Sequence, residues 1–147
     1  MGLTIDAAVY IDAPAEVVWR VLTDFAHYGD WNPFVPECKT SLVPGEPIDM
    51  VVNLGPRRQR QREFIRSHTP GREFSYTMKP VPLGTLHSAR THTVTAVTPT
   101  RTRYESHFEL NGWLHPVVAA LLGKQLRNGF EGMTAAVQRQ SESLHTP

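Results

Sequence analysis

The chain predicts an α+β fold in which a curved antiparallel sheet wraps one long C-terminal helix, with two short helices after the first strand. Three observations carry this. Residues 3–11 alternate apolar and polar side chains; the stretch from Glu37 to Leu110 keeps that period between turn clusters; and after Pro116 the period changes to three and four. With 147 residues the chain suits one domain, 1–147, large enough for a core and a pocket beside it.

The first strand places Leu3, Ile5, Ala7, Val9 and Ile11 on one face and Thr4, Asp6, Ala8 and Tyr10 on the other. Period two over this length means a strand with one buried face. Pro14 stands where the first helical residue belongs, with Asp12 or Ala13 as cap and Glu16 favourably placed in the first turn. Val17, Val18, Val21, Leu22 and Phe25 then form an apolar stripe. A second short helix fits Asp24 to Asp30, because Gly29 and Pro33 stop longer growth.

Pro44-Gly45-Glu46-Pro47, Gly55-Pro56, Thr69-Pro70-Gly71 and Thr98-Pro99-Thr100 divide the middle of the chain into about six strands. Ile48, Met50, Val52 and Leu54 alternate with Asp49, Val51 and Asn53, and Tyr104, Ser106, Phe108 and Leu110 with Arg103, Glu105, His107 and Glu109. Threonines and charges on one face with larger apolar groups on the other describe an antiparallel sheet with one wet face. The last helix carries Ala119, Leu122, Leu126, Phe130, Met133 and Val137 at helical spacing. Gly123, Gly129 and Gly132 weaken it by roughly 1 kcal/mol each against alanine, and leave room for a neighbour or a ligand. Residues 141–147 are expected to fray.

Three segments carry a family resemblance. They are Ile11-Asp12-Ala13-Pro14-Ala15-Glu16-Val17-Val18-Trp19, Tyr28-Gly29-Asp30-Trp31-Asn32-Pro33-Phe34, and Asn111-Gly112-Trp113-Leu114-His115-Pro116 followed by Gly129-Phe130-Glu131-Gly132-Met133. In this order, over nearly the whole chain, they resemble the SRPBCC superfamily, START-related proteins with the birch-pollen-allergen fold, and its polyketide cyclase/dehydrase-type branch. The resemblance implies a helix-grip fold built around a cavity that holds a small hydrophobic ligand.

Composition narrows the partners. The sequence is 40% hydrophobic and 20% charged with formal net charge +1, so no whole-chain field argues for nucleic acid or an anionic membrane. One cysteine, Cys38, excludes an internal disulfide and a cysteine-rich zinc site. No apolar run is long enough to span a bilayer and no signal-type N-terminus is present, so we expect a cytoplasmic protein, monomer or homodimer, without membrane insertion. The seven histidines are scattered and predict no metal site, and no phosphate loop, nucleophile elbow or dinucleotide motif implies a cofactor.

The candidate site comes from asking which polar groups point inward. If Val94 faces the interior, so do His92 and Arg90; Tyr104 and Ser106 share the inner face with Phe108. Tyr76 and Met78 join them on a neighbouring strand if Phe64 and Ile48 point inward. Trp31 and Phe34 stand at the expected mouth near the Pro80-Val81-Pro82-Leu83 loop, and Leu122, Phe130 and Met133 come from the last helix. A few polar groups among apolar walls is the make-up of a small-molecule site.

His92 admits two readings: a core histidine satisfied by Tyr104 or a carbonyl, or a catalytic group that polarises a carbonyl or takes a proton. Tyr104 similarly either caps the core or serves the site, and Arg90 either lines the cavity or snorkels at its rim. Trp113, at the strand-to-helix corner, is expected to be structural. Phe108 occupies an inward position where some relatives carry a carboxylate, which favours apolar binding.

Arg57-Arg58-Gln59-Arg60-Gln61-Arg62 reads as a solvated hairpin tip, with Arg58, Arg60 and Arg62 on one face and Gln59, Gln61 and Glu63 on the other. Phe64 continues the arginine face, so a bulge must intervene before the core begins. The leading expectation is therefore binding of a lipid- or polyketide-like metabolite. A cyclase or dehydratase using His92 with Tyr104 or Arg90 is the alternative. A protein-interaction role through the arginine run is the third.

Overall fold

A computed structural model describes residues 2–145. Seven strands form one antiparallel sheet in the order β1-β7-β6-β5-β4-β3-β2. They are β1 (Leu3–Ile11), β2 (Glu37–Thr40), β3 (Pro47–Leu54), β4 (Arg57–Thr69), β5 (Glu73–Met78), β6 (His87–Thr98) and β7 (Arg101–Asn111). Helix α1 (Ala15–Thr23) and a 3-10 helix (Phe25–Asp30) follow β1, and α2 (His115–His145) closes the chain. This is the helix-grip arrangement: α2 lies against β1, β7, β3 and α1, inside the curve of the sheet.

The pleat sorts the faces as the sequence pattern demands. On β7, Tyr104, Ser106, Phe108 and Leu110 are buried while their neighbours are half-buried. On β3, Ile48, Met50, Val52 and Leu54 line the inside. The helices seal the core with Val18, Val21 and Leu22 from α1 and Phe130, Met133, Ala136 and Val137 from α2. At the β7–α2 corner Gly112 takes φ +109, and a Cβ there would come within 2.4 Å of the Thr85 carbonyl oxygen, so only glycine lets the chains pass.

Three expectations change. Pro14 is the cap of α1 rather than its first residue: its carbonyl accepts the amides of Val17 and Val18 at 3.0 and 3.2 Å, and no side chain caps the end. The segment expected to fray from residue 141 is helical through His145, because Ser141 is fully buried and the Asp12 amide donates to the Glu142 carboxylate at 2.9 Å. Thr146 and Pro147 lie outside the described residues. Finally, the bulge in β4 falls between Ile65 and Ser67, so Ile65 faces the core and Phe64 stays on the arginine side.

Candidate functional site

The interior between sheet and α2 holds a cavity of about 50 Å³, lined by Phe34, Val35, Met50, Val52, Leu54, Gln61, Glu63, Tyr76, Arg90, Phe108, Leu126 and Phe130. A void of about 10 Å³ continues deeper, beside His92, Tyr76, Phe74, Cys38 and Met133. Larger depressions of about 570 and 630 Å³ lie elsewhere, over exposed residues such as Lys39 and Arg60, or Thr69 and Arg72. The interior cavity is where buried polar groups converge.

Arg90 dominates it. The side chain is 3% exposed, far from snorkelling at the rim. Its guanidinium donates to the Tyr76 hydroxyl at 3.3 Å, the Ser106 hydroxyl at 3.3 Å and the Met133 sulfur at 3.4 Å. It lies 4.5 Å from the Phe130 ring centre and 5.7 Å from that of Phe34. Among the described residues no carboxylate is within salt-bridge reach of it, and its Nε has no hydrogen-bond partner. Burial opposes the charge and the phenol oxygens of Tyr76 and Tyr104 favour it, so the group remains a cation. An arginine keeps its proton under almost any burial. A buried cation held only by neutral, long hydrogen bonds and aromatic faces retains unused capacity for an oxygen with negative charge.

Glu63 enters the cavity from β4. Opposite Ile48 in the register, it shares the inner face of the sheet with Gln61, which stands opposite Met50. Gln61 Nε2 donates to its carboxylate at 2.6 Å. Desolvation pushes the carboxyl up to about 7, with Gln61 and the charge of Arg90 pulling the other way. Sequence pattern had already put Gln59, Gln61 and Glu63 opposite the arginines, but took the whole run for a solvated tip. The arginines do point outward, with Arg62 bonded to Asp49 at 2.6 and 3.0 Å.

His92 lies deeper and does not line the larger cavity. It is 1% exposed, its Nδ1 is 2.6 Å from the Tyr104 hydroxyl, and the ring packs 4.7 Å from Phe74. Desolvation first, and then the charge of Arg90, lower its pKa well below 6.5, which leaves the imidazole neutral. Cys38 is likewise a neutral thiol, raised to about 12 by burial and then by Asp49.

Of the residues expected at the site, Phe34, Tyr76, Arg90, Phe108 and Phe130 line the cavity, while His92 and Met133 line the deeper void. Ser106 and Tyr104 stand behind them as partners of Arg90 and His92. Val94 is buried, whereas Trp31, Met78 and Leu122 are half-buried, and none of the four borders either space. Tyr76 faces inward although Phe64 does not, because the register pairs it with Ile65.

Phe34 separates the cavity from an outer groove of about 260 Å³ lined by Pro33, Asn53, Gly55, Gln125, Asn128, Gly129 and Gly132. Its backbone is fixed. The Asn32 side-chain oxygen accepts the amides of Phe34 and Val35 at 3.0 and 2.9 Å, and the Asn53 amide donates to the Phe34 carbonyl at 2.8 Å. The ring meets Phe130 edge-on at 5.1 Å.

A helix-grip chain with a polar cluster in an otherwise apolar interior defines a START-like class, and the sequence agrees. Residues 3–138 match the family model described as polyketide cyclase / dehydrase and lipid transport, and the chain belongs to that family. No curated protein matches it. Among solved structures it is similar to the Zhui aromatase/cyclase from Streptomyces sp. R1128, at 17% identity and TM-score 0.79, covering 97% of this chain and 94% of that one. It is also similar to a START superfamily protein from Mycobacterium smegmatis (15%, 0.76, covering 96% and 98%). Norcoclaurine synthase from Thalictrum flavum in complex with dopamine and hydroxybenzaldehyde has the same fold (15%, 0.72, covering 100% and 90%). At these identities the likeness speaks for the fold. No helix among the described residues is long and apolar enough to cross a membrane.

Proposed function

We propose that this chain binds a small hydrophobic or aromatic metabolite, lipid- or polyketide-like, with an oxygen of the ligand on the Arg90 guanidinium. The observation that carries the reading is a fully buried cation with a free Nε and no contacting carboxylate, set between two aromatic rings. A carbonyl, phenolate or carboxylate oxygen completes its coordination, and the rings of Phe34, Phe108 and Phe130 take the apolar body.

The cavity of about 50 Å³ is too small for a ring-sized ligand while the Phe34 side chain stays in place. Rotation of that ring away from Gly129 would open the cavity toward the groove beside it, since Phe34 lines both. Only the side chain needs to turn, since Asn32 and Asn53 hold the backbone.

A thermal-shift screen against fatty acids, quinones, flavonoids and aromatic polyketides tests the reading. A ligand at a hundred times its dissociation constant adds about 2.7 kcal/mol of stability, which raises the melting temperature by on the order of 5–10 °C. The shift should favour members bearing a carbonyl or acidic oxygen and vanish in Arg90→Met. No shift across the panel, from protein shown by mass spectrometry to carry nothing co-purified, overturns it.

Glu63 favours a second reading, a cyclase- or dehydratase-like enzyme. A carboxyl with pKa about 7 exchanges protons near neutral pH, and it shares one cavity with Arg90. Its carboxylate would take a proton from the carbon beside a ketone while Arg90 receives the enolate charge. The enolate carbon then bonds to a second carbonyl carbon, whose oxygen takes the proton back from Glu63. On this geometry the acid–base role falls to Glu63 more readily than to His92, whose lowered pKa makes it a poor proton acceptor, whose Nδ1 is bonded to Tyr104, and which lies outside the larger cavity. Glu63→Gln should then abolish turnover of a diketone substrate and spare binding; unchanged turnover rejects the mechanism.

A further inference from the structure

The first turns of α2 are apolar on both sides. Val118 and Leu126 pack toward the core, but Val117 and Leu121, four residues apart and so on one outer face, are 51% and 70% exposed, and Trp113, in the turn just before the helix, is 66% exposed. Leu83 joins them from the neighbouring loop at 90% exposure. It is held there: Trp113 Nε1 donates to the Leu83 carbonyl at 3.1 Å, and the Trp113 amide to that of Gly84 at 3.3 Å. Leu83 also takes φ +62, a conformation that side chains other than glycine rarely adopt. A leucine kept in water by a strained and tethered backbone is not explained by packing within this chain.

The two segments that form this face carry charges of one sign. Residues 79–88 and 112–130 contain no aspartate or glutamate, and they carry the exposed cations Lys79, Lys124 and Arg127. Lys124 follows Leu121 by one turn, at the edge of the apolar stripe. The net charge of +1 for the whole chain conceals this excess, because the acids fall in other segments of the sequence.

We propose that this face, formed by Leu83, Trp113, Val117 and Leu121 and rimmed by Lys79 and Lys124, docks on an anionic lipid surface. The side chains enter the headgroup region without spanning it, with the Trp113 indole at the polar–apolar boundary and the lysines on lipid phosphates and carboxylates. A second copy of the chain suits the face less well. A two-fold dimer would bring two copies of the same acid-free segments together, and a handful of side chains falls short of the 20–30 residues or so per side of a stable interface. The proposal stands whether or not the interior cavity binds a ligand. It uses a different set of residues, although Gln125 and Leu126 in the next turn reach the groove and the cavity.

Vesicle flotation of the full chain tests it, with phosphatidylcholine alone and with phosphatidylcholine mixed with phosphatidylserine. The protein should float with the anionic vesicles, lose them in high salt, and ignore the neutral ones. Leu83→Ser/Leu121→Ser should weaken partitioning by about tenfold or more, since both side chains leave an apolar medium. Lys79→Glu/Lys124→Glu should do the same while keeping the apolar face. All four positions are exposed, and circular dichroism checks that the fold survives. Flotation that is equal on both vesicles, or unchanged in both variants, overturns the proposal. So does a concentration-dependent dimer, abolished by Leu83→Ser/Leu121→Ser, in protein that ignores vesicles.

Discussion

The Phe34 ring lies against the backbone of Gly129, where an added Cβ would stand 2.2 Å from its Cε1 and 2.3 Å from its Cδ1. Glycine at this point of α2 therefore makes room for an aromatic side chain from the segment after the 3-10 helix. Gly129→Ala should gain up to about 1 kcal/mol in helix propensity and lose more, about 1–3 kcal/mol, by displacing the ring. Gly123 supplies the contrast, since a Cβ there meets nothing within 4 Å. Urea unfolding should show Gly123→Ala stabilised by about 0.5–1 kcal/mol and Gly129→Ala destabilised. The double variant Phe34→Ala/Gly129→Ala should show no clash penalty. Equal effects of the two glycine substitutions would mean that Phe34 does not press on the helix.

Arg90 makes an unusual stability prediction. Its charge is desolvated, and its partners are two hydroxyls and a thioether. Replacing a poorly compensated buried ion by an apolar side chain of similar length is commonly neutral or stabilising, by about 1–4 kcal/mol. Arg90→Met should therefore unfold at equal or higher urea concentration while losing its response to oxygen-bearing ligands. Strong destabilisation would show that the guanidinium is a structural tie for Tyr76 and Ser106 instead.

Glu63 sets a pH dependence. Its folded pKa of about 7 lies above the unfolded value near 4.5, so between these values the folded state binds more protons. Its contribution to stability is greatest below pH 4.5 and declines as pH rises through 7. A full shift of this size corresponds to roughly 3 kcal/mol; because Glu63 is only half-buried, about 1–2 kcal/mol is expected. Glu63→Gln should flatten stability against pH in that window, as measured by urea unfolding at stepped pH. A wild-type and variant that track each other would place the carboxyl in water.

The helices and most strands were legible because their patterns are periodic and span whole elements, as with Val18, Val21 and Leu22 or Tyr104 through Leu110. The β4 segment was not, because Phe64 and Ile65 are adjacent and both apolar. Period two cannot choose between them, and one bulge placed before or after Ile65 sends the alternating set to opposite faces. That choice decides whether Glu63 meets water or the cavity. The depth of Arg90 was equally hidden: its face could be read from Val94, but not whether its head reached solvent. Trp113 has the structural role expected of it, its indole tying the Leu83 carbonyl, but its exposure was hidden. A tryptophan at a strand-to-helix corner suggests packing, and only the tertiary structure shows it facing water.

His92 offers the sharpest separation between a packing role and a chemical one. Its ring is wedged between Phe74 and Tyr104, and its Nδ1 is the partner of the Tyr104 hydroxyl. His92→Ala removes this packing and strands a buried phenol, at a combined cost of about 2–4 kcal/mol. The histidine pKa is lowered on folding, so the unfolded chain takes up a proton below pH 6.5 that the folded chain refuses. Its contribution is therefore present above pH 6.5 and lost as pH falls below it, opposite in sign to that of Glu63. His92→Gln, which keeps a polar side chain near Tyr104, should remove the acid-side slope while retaining more stability than alanine. If instead both variants remain as stable as wild type but lose turnover of a diketone substrate, the imidazole acts on substrate, and the deeper void belongs to the reaction.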